Sequence, residues 1–185
     1  MRRSTLTAAM LATMCAVAPA AALHAQGLIS AGLGGGVALP LSTFSDEVVP
    51  GFRALGTLAI GAPLLPLGLR IDAAYDRFDV EAAPVGSVDF DGGQRVVSAT
   101  INPTYRLPSA GAPISPYLIA GAGAYNVGCT GDFTCESSTH FGWNAGAGFT
   151  FRAFGLRAFA EARYHRVEAS GGSLQYVPVT AGLLF

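Results

Sequence analysis

The chain contains no lysine; all eleven of its basic residues are arginine. Charge is scarce altogether. Ionisable Asp, Glu and Arg make up 12% of the 185 residues, against 51% for apolar types, where a typical soluble domain is about 25% charged. Long apolar runs are missing too. After the first 25 residues none approaches the ~20 needed for a membrane-spanning helix. A chain this apolar, this poor in charge and without a helical span points to lipid contact by another route. A closed barrel is the other structure that satisfies its own backbone inside lipid. The Gly-rich stretch from Gly32 to Gly36 is followed by no Gly-Lys-Ser/Thr, which excludes a phosphate loop. No cofactor motif is found.

The length suits one domain. The N-terminus reads as a secretory signal. Arg2 and Arg3 form its positive region, Leu6 to Val17 its apolar stretch, and Pro19 precedes small residues. Cleavage after Ala25 divides the chain into a signal peptide, 1–25, and a mature domain, 26–185; cleavage after Ala22 is the alternative. Losing Arg2 and Arg3 leaves nine arginines against twelve acidic residues, a net charge of −3. That balance argues against nucleic acid as a partner. Cys15 leaves as well, so Cys129 and Cys135 remain as an even pair in an oxidising compartment. Both flank a short polar loop, and a disulfide between them should add about 2 kcal/mol. Zinc-like ligand spacing is absent around them.

The mature chain alternates with period two. From Leu67 to Asp76, one face carries Leu67, Leu69, Ile71, Ala73 and Tyr75, the other Arg70, Asp72 and Asp76. A hairpin around Arg152 to Gly155 is expected to pair Trp143 with Tyr164, Ala145 with Ala162, Ala147 with Ala160, Phe149 with Ala158 and Phe151 with Leu156, all apolar. Two strands agreeing on the apolar face fix its sidedness, because a one-residue slip would invert both. The pattern predicts strands near 28–41, 51–62, 66–79, 94–107, 114–127, 138–151, 155–168 and 174–185. Connections at 42–50, 80–93, 128–137 and 169–173 read as longer or more polar. Those at 63–65, 108–113 and 152–154 read as short turns. Pro103 and Pro178 fall inside strands, where bulges are expected.

Aromatic residues fall in two bands. Phe52, Tyr75, Phe78, Tyr125, Phe141, Trp143, Tyr164 and Tyr176 lie toward one end, and Tyr105, Tyr117, Phe149, Phe151 and Phe185 toward the other. Phe159 is central and on the inward parity. Such bands match the interfacial girdles of a membrane barrel. The last strand, Tyr176 to Phe185, alternates Val177, Val179, Ala181 and Leu183 and ends in an aromatic residue. It resembles the terminal signal read by the barrel-assembly machinery, although Thr180 stands where that pattern has glycine. With Gly32–Leu41 and Pro116–Gly123, the mature chain resembles the small outer-membrane β-barrel domain family, which includes OmpA-type and OmpX-like barrels. The resemblance implies an all-β, eight-stranded antiparallel transmembrane barrel, an up-and-down meander, monomeric and in the bacterial outer membrane. It also implies contact with outer-membrane lipids, lipopolysaccharide, periplasmic chaperones and the assembly machinery, and a structural or surface-interaction role such as membrane integrity or adhesion, with an extracellular ligand reached through the loops.

A narrow pore is one alternative. Against it, an eight-stranded interior is just wide enough for side chains to fill. Lumen-parity Arg70, Asp72, Glu161 and Arg163 are expected to pair across it, with Arg106 on the same parity. A lipid A-modifying enzyme is the other alternative. The PagL-type deacylase also resembles an eight-stranded barrel, with its serine two residues after the histidine. Here Arg166 and Val167 follow His165, and the nearest serine is Ser170, so the nucleophile is missing from its place. His140 and His165 are weak site candidates at one rim, with Glu136, Glu161 and Glu168 nearby. No enzymatic role is expected.

Overall fold

The computed structural model describes residues 29–42, 44, 48–61, 65–79, 92–108, 113–131, 135–153, 156–169 and 172–185. Their alternating sequence gives eight antiparallel strands: β1 (Ile29–Leu41), β2 (Gly51–Gly61), β3 (Leu67–Asp79), β4 (Gly92–Arg106), β5 (Ile114–Gly131), β6 (Ser138–Ala153), β7 (Leu156–Ala169) and β8 (Gly172–Leu184). Each pairs with its neighbours in sequence, and β1 closes the ring on β8, from Gly32 opposite Leu184 to Leu41 opposite Gln175. Closure leaves no unpaired edge. The expected signal peptide lies outside the described residues.

Strand positions agree with the sequence reading to within two residues, except that β5 runs on to Gly131. Its polar end is still ladder, since Gly92 to Val96 of β4 pair Gly131 to Val127. The expected contrast in connection length is therefore only partial. Connections 42–50 and 80–91 are long, but 132–137 and 170–171 are shorter than 107–113 on the opposite rim. The difference arises because polar residues at strand ends look like loop in sequence. The rim carrying 42–50, 80–91, 132–137 and 170–171 is called the loop rim below, and the other the turn rim.

The β6–β7 hairpin needs a second correction. Trp143 lies opposite Arg166, Ala145 opposite Tyr164, Phe149 opposite Ala160 and Phe151 opposite Ala158. The ladder runs closer to the turn than expected, to Ala153 opposite Leu156, and every pair moves by two residues. A shift of two keeps each side chain on its face, because the pleat has that period.

Pro103 and Pro178 cause no bulge. The β4–β5 ladder breaks between Ile101 opposite Ala122 and Thr104 opposite Ile119, and the β7–β8 ladder between Ala162 opposite Val179 and His165 opposite Tyr176, with no change of register. Each proline stays paired on its other side, with Leu69 and Ala38. In an antiparallel ladder a residue's N–H and C=O point to the same neighbour. A proline therefore interrupts one ladder and spares the other.

Outward positions are apolar over most of the barrel's height. Leu33, Leu58, Ile71, Ile101 and Leu118 stand exposed among Ala and Gly. The outward charged side chains Arg77, Asp79, Arg95, Arg166 and Glu168 all sit toward the loop rim. There Arg77 pairs with Asp79 at 3.1 Å and Arg166 with Glu168 at 2.7 Å. Phe52, Tyr75, Phe141, Trp143 and Tyr164 flank the apolar zone on that side, and Tyr105, Phe149, Phe151 and Phe185 on the turn side. The aromatic assignment is corrected for four residues. Phe78, Tyr117, Tyr125 and Tyr176 face inward and are buried, because their strand parity, rather than their height, decides which side they face.

Candidate functional site: the lumen

Inward parity brings the charged side chains to mid-barrel. Arg70 and Asp72 lie on β3, Glu161 and Arg163 on β7, four strands away around the ring. Arg70 Nη1 donates to Glu161 Oε2 at 2.7 Å and its Nη2 to Asp72 Oδ1 at 3.2 Å. Arg163 Nη1 donates to Asp72 Oδ2 at 2.8 Å and its Nη2 to Glu161 Oε1. The four form a closed cycle in which each carboxylate sits between two guanidinium groups, with no net charge. All four side chains are at most 8% exposed. At that burial an unmatched charge would be costly, and alternation of sign around the cycle removes the mismatch.

A neutral shell completes the cycle. Tyr117 donates its hydroxyl to Glu161 Oε2 at 2.7 Å, and Arg70 Nε donates to Thr57 Oγ1 at 3.1 Å. Asn102 Nδ2 donates to Asp72 Oδ2 at 2.9 Å, and Asn144 Nδ2 to Asn102 Oδ1 at 2.9 Å. The Arg70 guanidinium also lies 5.3 Å from the centre of the Phe159 ring. Facing glycines make the room. Gly146 and Gly148 of β6 oppose Arg163 and Glu161, and a Cβ at Gly148 would stand 2.6 Å from the Tyr117 hydroxyl. Arg53 and Asp76 form a second buried pair at 3.2 Å, with Tyr176 donating to Asp76 Oδ2 at 3.2 Å. Sequence reasoning set Tyr117 in an aromatic band and did not place Arg53, Asn102 or Asn144 among the paired lumen residues, although all share the inward parity of the other four.

Above the charges the lumen is apolar. Phe78, Tyr125, Tyr176, Val96, Val167 and Leu174 form one buried cluster with Phe44 and Val48. The last two come from the first loop-rim connection, which enters the lumen there. Val48 N–H bonds Phe44 O at 3.3 Å, and Val49 N–H bonds Asp79 O at 2.9 Å. Phe78 stands edge-on to both Phe44 and Tyr176, with ring centres 5.0 and 5.4 Å apart.

The two histidines are not brought together. His165 is fully buried in this cluster's floor, its Nδ1 3.0 Å from the Tyr125 hydroxyl and its ring stacked on Tyr176. His140 sits higher on β6, its Nε2 2.6 Å from Ser138 Oγ. Of the acidic neighbours expected for the histidines, Glu168 points outward to Arg166 and Glu161 is taken up in the charge cycle. Among the described residues no group of three His, Cys, Asp or Glu is placed to hold a metal. Cys129, within β5, is joined to Cys135 by a disulfide with 5.6 Å between Cα atoms. Phe185 is exposed on the outward face, and its backbone N–H and C=O bond Ala31.

These features define a small eight-stranded meander barrel whose interior is packed from the charge cycle up to the loop rim. It is the fold of the small outer-membrane barrels. Neisserial surface protein A (NspA) matches with a TM-score of 0.65 at 16% identity, over 84% of this chain and 95% of that one. A major outer membrane protein from Thermus thermophilus matches at 0.53 and 13% identity, over 85% and 98%. Ail, the attachment invasion locus protein of Yersinia pestis, matches at 0.50 and 19% identity, over 84% and 98%. No family model matches the chain, and no curated protein matches it in sequence.

Proposed function

We propose that the protein is an integral outer-membrane barrel with a structural or surface-interaction role and no catalytic one. The observation that carries the reading is the outward belt, apolar at every strand and bounded by aromatic residues on both sides. Such a belt is unfavourable in water and suits a bilayer. The loop rim then faces outside, toward lipopolysaccharide or an extracellular partner. Phe185 ends the strand offered to the assembly machinery. The filled upper lumen favours a non-conducting barrel over a pore. His165, held between Tyr125 and Tyr176, has no serine positioned as in the deacylase type, which favours a non-enzymatic role. Fractionation tests the location. The protein should be recovered with outer membranes, need detergent for extraction, and run at a different apparent mass unboiled than boiled. Recovery from the periplasm without detergent would overturn the proposal.

A further inference from the structure

Below the charge cycle the lumen is not filled. A cavity of about 200 Å³ lies toward the turn rim, which is room for a small ion and a few waters. Arg106, Arg152 and Arg157 line it from three strand ends, with the hydroxyls of Ser30 and Thr150 and the apolar side of Phe159. Among the described residues lining it there is no Asp or Glu. The turn-rim segments 61–66, 107–113 and 152–156 contain none either. The side-chain carboxylates nearest in height, Asp72 and Glu161, are each held by two arginines in the cycle above.

Arg152 and Arg157 are also directly opposed in the β6–β7 ladder. Like charges in that position destabilise a strand pair. The charged groups acting on Arg157 are Arg152 and Arg106, both of its own sign. Arg157 Nη1 donates to Ser30 Oγ at 2.9 Å, while its buried Nε has no partner among the described atoms. Guanidinium forks are suited to oxyanions, which accept two parallel hydrogen bonds from each.

We infer that this turn-rim vestibule binds a phosphate-class oxyanion, held by Arg152 and Arg157. The inference needs the barrel but not its cellular location. Inorganic phosphate and the phosphate of an anionic lipid headgroup share the required chemistry.

The test uses the full barrel refolded in a maltoside micelle, which brings no phosphate of its own. Titration calorimetry with inorganic phosphate should show saturable binding that sodium chloride at equal ionic strength does not reproduce. Arg152→Gln and Arg157→Gln should each weaken it at least tenfold. Both variants should fold, shown by unchanged heat-modifiable mobility, because each relieves a like-charge pair. Competition by short-chain phosphatidylglycerol assigns the source: a lower inhibitory concentration than that of free phosphate means a headgroup, and a higher one means the free ion. Absence of saturable binding, or equal binding by wild type and the double variant, would overturn the inference.

Discussion

Glu161→Ala should lower the unfolding free energy of the refolded barrel by about 3–5 kcal/mol, the range for breaking a buried ion pair by removing one partner. Glu161 accepts from Arg70, Arg163 and Tyr117 at once. Its loss leaves two buried guanidinium groups sharing Asp72 and takes away the acceptor of the Tyr117 hydroxyl. The same cycle makes the effect non-additive. Once Glu161 is gone, Arg163 holds only Asp72, so Arg163→Ala should cost less in the Glu161→Ala background than alone. The coupling should fall within the roughly 0.5–3 kcal/mol seen for residues in one network. Urea midpoints in detergent for the two single variants and the double variant measure it. Additive effects would mean that the four charges do not act as one unit.

Phe78→Ala should cost a similar amount, about 3–5 kcal/mol, for a different reason. Phe78 is fully buried and packs edge-on between Phe44 and Tyr176. Truncation leaves a cavity in a closed ring whose walls are held by ladder hydrogen bonds and cannot collapse inward. Phe44 should lose its anchor, so the variant should also expose the 42–50 connection to protease. An outward truncation, Leu33→Ala, is the control. Leu33 is 67% exposed and leaves no internal cavity, so its cost should be clearly smaller. Equal costs for the two would contradict the inward plug.

The alternation Leu67 to Asp76 is enough to place β3 and its two faces, because a strand with one apolar face has a single register parity. Parity survives even where the expected pairing does not. The β6–β7 ladder moves by two residues without turning a side chain over. What the sequence could not give was height and depth together. Tyr125 and Tyr176 stand at the right height for a girdle but have inward parity, and only the closed ring shows that they fill the lumen. The proline breaks are hidden for a related reason. Whether Pro103 interrupts the pairing with β3 or with β5 depends on which neighbour its backbone faces, a property of the ladder and not of the strand. Arg53 was legible in principle, since it stands between the apolar Phe52 and Ala54 on the parity of Thr57, but its partner Asp76 lies on another strand.

Trp143 is the chain's one tryptophan. It sits on the outward face of β6, 38% exposed, beside Tyr164 with ring centres 5.4 Å apart. The protein refolded into vesicles of lipids brominated at a shallow acyl position therefore tests the central claim, that the apolar belt lies in a bilayer. Strong quenching by the brominated chains, with little quenching by aqueous iodide, is the predicted result. Strong iodide quenching with none from the brominated chains would contradict it.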